Sequence, residues 1–525
     1  MARMNTKRTS KDARSPITSE ATASGRTFEG APGFAREAKS ELFLAAVSSL
    51  NEDSFYEGAD ARAVRIAGLV REVAVADPMW TLALVRYLRT VVHLRSIPVI
   101  VAAHAAKARL DAGESGTTRQ IVDASIGRAD ELGEFLAYWK REVDPTGKTI
   151  PSAVKRGVSD AASRVLNERS VMKWKGKGAK GDFSFADILN LVHASPKGDT
   201  QEALYAHIVG KETNLDRLPA MKANAEIRAM SGADLRELVV SETGSERLRD
   251  AGITWEALSG MLPGGLGAEG WEAMVPNLGY QALLMNLRNI GEAGVSEETI
   301  EKVSKRLSDP SEVARSKMMP IRFLSAYMNA PLAFHYPLEK ALGLSLANLP
   351  DLPGRSLVLV DRSGSMGARL SARSSMTRMD AAGVFGAALA VKNRKGTDLV
   401  TFGTASDRVA VRRGESVLEL ARRLRANDGG TRTAEAVRKH FDGHDRVIVL
   451  TDEQAAYDSR VGRDVYSSVP DTVPVFTVNL EGYRYGSAPA GSKNRHSFGG
   501  LTDRMFDLIP LLERGGSADW SFMGA

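Results

Sequence analysis

From about Phe34 to Met328 the apolar positions recur at intervals of three and four, the period of one helix face. Ile66, Leu69, Val70 and Val73 form one stripe, Asp77-Pro78 interrupts it, and Trp80, Leu84, Tyr87, Leu88 and Val91 form the next. Ser96-Ile97-Pro98 reads as another break, ahead of an alanine-rich helix from Val99 to Leu110. Successive helices with short connections and no strand signal predict an α-solenoid of paired helices rather than one bundle, although no clean repeat period is visible.

After Leu344 the prolines 350 and 353 mark a linker, and from Ser356 the pattern becomes α/β. An opening apolar strand is followed by a helix from Met379 to Val391, strands at Asp398–Phe402 and Arg408–Val411, and a helix at Ser416–Leu424. A strand ending at Asp452, a strand at Pro474–Asn479 and an amphipathic helix at Leu501–Leu512 complete the series. Strands alternating with helices predict a mostly parallel sheet covered on both faces, with its ligand site at the carboxyl ends of the strands.

The stretch Leu357 to Gly367, Leu-Val-Leu-Val-Asp-Arg-Ser-Gly-Ser-Met-Gly, is a buried strand running into a tight loop. Asp361, Ser363 and Ser365 put three oxygen ligands in one turn, a set that suits a hard divalent cation such as Mg2+. Thr431, in Gly429-Gly430-Thr431-Arg432-Thr433, and Asp452, at the end of Val447-Ile448-Val449-Leu450-Thr451, are candidates for the rest of the shell. A lone Asp-x-Ser-x-Ser is more often a solvated turn. The three parts together, in this order, closely resemble the metal-ion-dependent adhesion site of von Willebrand factor A domains, and that resemblance makes Asp361, Ser363, Ser365, Thr431 and Asp452 the metal ligands. A phosphatase would want a second carboxylate where Ser363 stands, and Ser365 lacks the Gly-x-Ser-x-Gly setting of a hydrolase nucleophile.

The 525 residues leave room for two or three domains, and 43% hydrophobic residues can fill their cores. No cysteine is present, which excludes disulfides, thiolate zinc and a cysteine nucleophile and fits a reducing compartment. No apolar run is long enough to span a bilayer and no apolar segment follows the N-terminal basic residues, so the expected location is the cytoplasm. Residues 1–28, rich in Ser, Thr, Arg and Lys, read as a disordered basic arm. A formal charge of +6 is a weak argument for nucleic acid at this length; its distribution says more.

Between Lys140 and Lys180 eleven Lys or Arg stand against four Asp or Glu. The block includes Lys155, Arg156, Arg164 and Arg169 and ends in Lys173-Trp174-Lys175-Gly176-Lys177-Gly178-Ala179-Lys180. Basic side chains around a tryptophan suit phosphate contact plus stacking on an unpaired base, while the bland alternative is a solvated face. His193 follows at the end of an apolar helix, where a histidine is more often a cap or a core residue. Arg288, Lys317 and Arg322 lie inside otherwise apolar helical segments, where a cation usually meets a carboxylate or lines a wet cavity.

Together with Asp53-Ser54-Phe55-Tyr56-Glu57, Asn286-Leu287-Arg288-Asn289 and the order of the two regions, these segments resemble the Ro, or TROVE, family from about residue 34 to the end. After the disordered arm (1–28), the resemblance implies a HEAT-like α-helical solenoid closed into a ring (29–350) and a doubly wound α/β, von Willebrand factor A-like domain (351–525). It implies a Y-type small noncoding RNA on outer helices at Lys173, Lys175, Lys177 and His193, to which the charge bias adds Lys155 and Arg156. Single-stranded 3' ends of misfolded RNA would enter a central hole at Arg288, Lys317 and Arg322. It further implies no catalysis, a 3' exoribonuclease as partner, RNA quality control as the role, and a monomer. Two rivals stay open: a metal-dependent protein-interaction scaffold and a metal-dependent nuclease, the latter short of the clustered carboxylates that two ions need.

Overall fold

The computed structural model describes residues 15–48, 59–174, 183–211, 214–318, 320–346, 349–369, 376–426, 428–458, 464–491, 494–499, 506, 508–513, 519–520 and 522–523. The chain divides into two compact units, one made of residues 1–73, 317–328 and 338–525, the other of residues 74–316 and 329–337.

The second unit is built from short helices, beginning with Pro78–Thr90, Ser96–Asp111, Thr118–Ser125, Ala129–Tyr138 and Ser152–Val165 and running to Pro310–Ser316. Asp77-Pro78 is the break expected between two helices, one ending at Ala76 and the next beginning at Pro78: the Asp77 carboxylate accepts a hydrogen bond from the Trp80 N–H, and Pro78 takes the first helical position. The next helix begins at Ser96 rather than Val99. Pro98 is tolerated there because first-turn N–H groups have no intrahelical acceptor to lose. Gly157 explains how tightly Ser152–Val165 meets Thr118–Ser125, since a Cβ on it would lie 2.6 Å from Val122 Cβ and 2.7 Å from the Arg119 carbonyl oxygen. Trp139, Phe135, Leu132 and Val158 are fully enclosed in this half. A separate cluster around Ile227, Leu235, Leu238, Leu248 and Leu258 fills the later helices.

In the first unit, strands β1 (Gly25–Arg26), β2 (Pro32–Ala35), β3 (Ser356–Asp361), β4 (Thr397–Phe402), β5 (Ser406–Arg408), β6 (Arg446–Thr451), β7 (Val475–Asn479), β8 (Tyr485–Gly486) and β9 (Arg495–Gly499) form two sheets. The larger has the order β5-β4-β3-β6-β7-β9. All its pairings are parallel except β4 with β5. The chain therefore winds outward from β3 in one direction and then, from β6, in the other. Such a doubly wound sheet has its switch point between β3 and β6, where a crevice opens at the strand ends. Gly386 lets the helix Arg378–Lys392 press onto β3, where a Cβ would meet Val360 Cγ2 at 2.4 Å.

Three expectations change, and a fourth lies partly outside the described residues. The strand expected at Arg408–Val411 is the antiparallel edge β5, three residues long and ending at Arg408. Strand β9 was not expected; it is short and carries Arg and His inside, which hides its apolar period, whereas the helix Thr433–His440 is the helical run expected after the Gly429-Gly430-Thr431 loop. Of the last helix, Leu508–Glu513 is described, while 501–505 lie outside the described residues. The basic arm expected over 1–28 lies outside the described residues only to position 14. From Ser15 onward it is built into the first unit, with Ile17 buried, β1 paired to β2 and β2 paired to β8. Ala31 sits in the same core cluster as Leu357, Val449 and Val475. The composition misled because backbone pairing and a few small apolar residues anchor this segment rather than an apolar stripe.

Candidate metal centre and candidate nucleic-acid interface

Strands β3 and β6 end side by side, and each ends on or next to a carboxylate: Asp361 is the last residue of β3, and Asp452 follows Thr451. A short 3-10 turn, Gly364–Gly367, carries Ser365 and follows Ser363. Thr431 comes from the loop before Thr433–His440. All five expected ligands are at most 1% exposed. The structure brings them together: Ser363 N–H donates to Asp361 Oδ1 at 2.8 Å, the Ser363 and Ser365 hydroxyls lie 3.2 Å apart, and Thr451 Oγ1 donates to Asp361 Oδ2 at 2.5 Å. The loop with Thr431 is held by Gly364 N–H donating to the Gly429 carbonyl at 2.6 Å and by Ala456 N–H donating to the Thr431 carbonyl at 2.8 Å.

Burial raises the pKa of Asp361 above the usual carboxylate range, and the neighbouring Asp452 carboxylate adds to the rise. Burial likewise raises Asp452, against hydrogen bonds from Ser365 and Gln454 that favour its charged form. Two buried carboxylates facing each other call for a cation. The fit of a divalent ion rests on two atoms, Thr431 Oγ1 and Asp452 Oδ2, which are buried without a hydrogen-bond partner. Unsatisfied oxygens of this kind are costly, and a hard cation would take both. Among the described residues no group of three or more His, Cys, Asp or Glu is placed to hold a metal, so an ion here would rest on two carboxylates and hydroxyls.

The helical unit presents the second site. The helix Glu168–Trp174 ends at a tryptophan flanked by two cations, with Arg128 Cζ 5.0 Å and Lys173 Nζ 5.3 Å from its ring centroid. Arg128, Arg164, Arg169, Lys173 and Trp174 line a groove of about 480 Å³. A second pocket of about 670 Å³ shares Arg128 and Lys173 and adds Trp255, Tyr280 and Arg315. Two of the cations are tied down: Arg164 Nη2 donates to Asp123 Oδ1 at 2.7 Å and to the Ile126 carbonyl at 2.8 Å, and Arg128 pairs with Asp130 at 3.1 Å. Arg169 and Lys173 are exposed.

The other expected RNA contacts are less gathered. Lys175 and Lys177 lie outside the described residues, as do residues 53–57. Arg156 is exposed and Lys155 half-buried on Ser152–Val165, and neither lines the two pockets. His193 is exposed and caps Phe185–Val192 in the left-handed region at φ 51°, its N–H donating to Leu189 at 2.9 Å, so the capping alternative describes its backbone. Arg288 is exposed and pairs with Glu292 at 3.1 Å. Lys317 and Arg322 are exposed in the first unit. Sequence reasoning missed Arg128, which stands outside the basic run, and it did not rank Arg164 and Arg169 above their neighbours.

An array of short helices combined with a doubly wound α/β unit, whose switch point gathers buried carboxylates and hydroxyls, defines the class of protein. The TROVE domain model matches residues 251–334. A relative named RNA-binding protein RO60, from Deinococcus radiodurans, is 24% identical over 354 residues, covering 62% of this chain and 63% of its own length. The chain thus spans less than two thirds of that relative. The crystal structure of the Deinococcus radiodurans RO (RSR) protein superposes with a TM-score of 0.62 at 18% identity, over 91% of this chain and all of that one. The chain is thus similar to Ro/TROVE proteins, in sequence over part of its length and in fold over most of it. Among the described residues no helix is long and apolar enough to cross a membrane.

Proposed function

We propose that the chain binds noncoding RNA through its helical unit, without catalysis of its own. The observation that carries this is the groove around Trp174, which combines an indole face for stacking with four cations for phosphate. The relative's name, an RNA-binding protein, supports the reading. A Y-like small RNA is the ligand proposed for this face, and single-stranded 3' ends of misfolded RNA are proposed to meet Arg288, Lys317 and Arg322. Quality control in the cytoplasm by a monomer, beside a 3' exoribonuclease, belongs to the same proposal. The test is fluorescence anisotropy with a labelled stem-loop RNA across a salt series. Tight binding that weakens steeply with salt and collapses in the Arg169→Glu/Lys173→Glu variant supports the proposal; binding indifferent to both overturns it.

A second reading is favoured by the orphaned oxygens of Thr431 and Asp452. Asp361, Ser363, Ser365, Thr431 and Asp452 would hold a divalent ion, Mg2+ by the hardness of its ligands. Such an ion, when bound, supplies a positive centre that an acidic side chain can complete, making this end of the sheet a docking point for a protein. A nuclease is disfavoured because two of the five expected ligands, Asp361 and Asp452, are carboxylates and the rest are hydroxyls, short of the clustered carboxylates that two ions need. RNA cleavage in Mg2+ that disappears in Asp361→Ala would revive it.

A further inference from the structure

A further carboxylate at this site comes from far earlier in the chain. Thr431 N–H donates to Glu29 Oε2 at 3.2 Å, so the Glu29 carboxylate rests on the very loop that offers the orphaned Thr431 hydroxyl. Its position is fixed on both sides. Phe28 N–H donates to Gln454 Oε1 at 2.9 Å, Tyr457 N–H to the Glu29 carbonyl at 3.1 Å, and Thr27 Oγ1 to the Ala455 carbonyl at 2.6 Å. Gly30 bridges Ala456 in antiparallel fashion. Behind it, the buried Arg36 is paired with Glu453 and donates to the Tyr483 carbonyl at 2.9 Å. The segment that carries Glu29 is thus stitched along residues 453–457, the turn that follows the ligand Asp452.

We propose that Glu29 is an intramolecular ligand of this site, the acidic side chain that completes the ion's shell in cis and that a protein partner has to displace. The proposal rests on the metal reading given above. A short shift from the Thr431 amide would bring the carboxylate to the ion. It would add a third charged ligand to a site that otherwise has two, and ligand charge count is what tunes divalent-ion affinity. Bound this way, the segment closes the position that adhesion-type chemistry needs open.

The test uses the full chain with Mn2+ alone as probe, reading affinity by titration calorimetry and bound water by proton relaxivity. Glu29→Gln is expected to weaken Mn2+ binding about tenfold and to raise the relaxivity of the complex by one inner-sphere water. Glu29→Asp, which keeps the charge and loses reach, should shift both quantities in the same direction by less, and it decides the matter if Glu29→Gln fails to fold. Mn2+ binding that is lost in Asp452→Asn but unchanged in affinity and relaxivity by both Glu29 variants overturns the Glu29 proposal and leaves the metal site standing. Absence of Asp452-dependent Mn2+ binding in the unmodified chain removes the metal reading and this proposal with it.

Discussion

At the switch point of the sheet, five oxygen-bearing side chains are sealed from solvent, with Asp361 held by hydrogen bonds from the Ser363 main chain and the Thr451 hydroxyl. Around Trp174 the cations stand at the surface, and only some of them are fixed by partners. The contrast follows from what each ligand demands. A small ion needs desolvated donors at set positions, so each donor must sit on a particular strand end or loop. A polyanion needs a positive field and a flat face, so several arrangements of Arg and Lys serve equally well.

The comparison is sharpest if the two sites fail independently. Asp361→Ala should abolish divalent-ion binding in calorimetry while leaving RNA affinity within about twofold, the scatter expected of two independent sites. Loss of both together would mean the sites are one system. Arg169→Glu with Lys173→Glu should cost at least about a hundredfold in RNA affinity at moderate salt and flatten the dependence of log K on log salt. An unchanged slope would show that phosphate is met elsewhere.

A third experiment asks how far burial alone constrains the sheet unit. His496 on β9 is enclosed and stacked on Phe476 at 5.4 Å, and burial, helped by the adjacent Arg495, pushes its pKa down to about 4. The folded state therefore keeps the ring neutral, while the unfolded chain takes up a proton near the ordinary histidine pKa. Stability contributed by this neutrality is present above about pH 6.5 and is lost as pH falls toward 4, a change of about 3 kcal/mol. Denaturation in urea at pH 7 and pH 4.5 should show a smaller difference for His496→Phe than for the unmodified chain. Equal differences would refute the assignment.

Smaller effects belong to the exposed groove. Trp174→Ala should lower RNA affinity about tenfold without altering the salt slope, because stacking is lost and no phosphate contact goes with it. Lys155→Ala and Arg156→Ala should each change affinity by less than about threefold, since a cation that does not line the groove contributes only to the general field. Losses there as large as for Arg169 would turn the groove into a broad basic face.

This difference in construction also explains what could be read from the chain. Asp361 and Asp452 end apolar strands, so both the strands and their register at the switch point follow from the apolar run and the carboxylate that stops it. Thr431 was legible from the two glycines before it. Glu29 was not, because nothing local distinguishes a glutamate in a Ser- and Thr-rich stretch; its place is set by pairing with residues more than four hundred positions away. Arg128 was hidden for a similar reason. It meets Trp174 through the packing of Ala129–Tyr138 near Glu168–Trp174, and no charge bias surrounds it. The helices themselves were clear from their stripes, and the misplaced boundary at Ser96 came from treating a first-turn proline as a stop.

The seam between the segment around Glu29 and the turn after Asp452 joins residues as much as 428 positions apart. On the ribosome the first half of this seam emerges early and must wait, unpaired, until β6 has been made and has found β3. Contacts of such long sequence separation form late, and until then the waiting strand is exposed to wrong partners. A fragment begun at residue 351 would have the opposite defect. The Ala455 carbonyl, the Gln454 side chain and the Glu453 carboxylate would lose the partners that Thr27, Phe28 and Arg36 supply, and buried acceptors left without donors are costly. The α/β unit is therefore a poor candidate for expression by itself unless residues from about Ser15 to Arg36 are provided in the same tube.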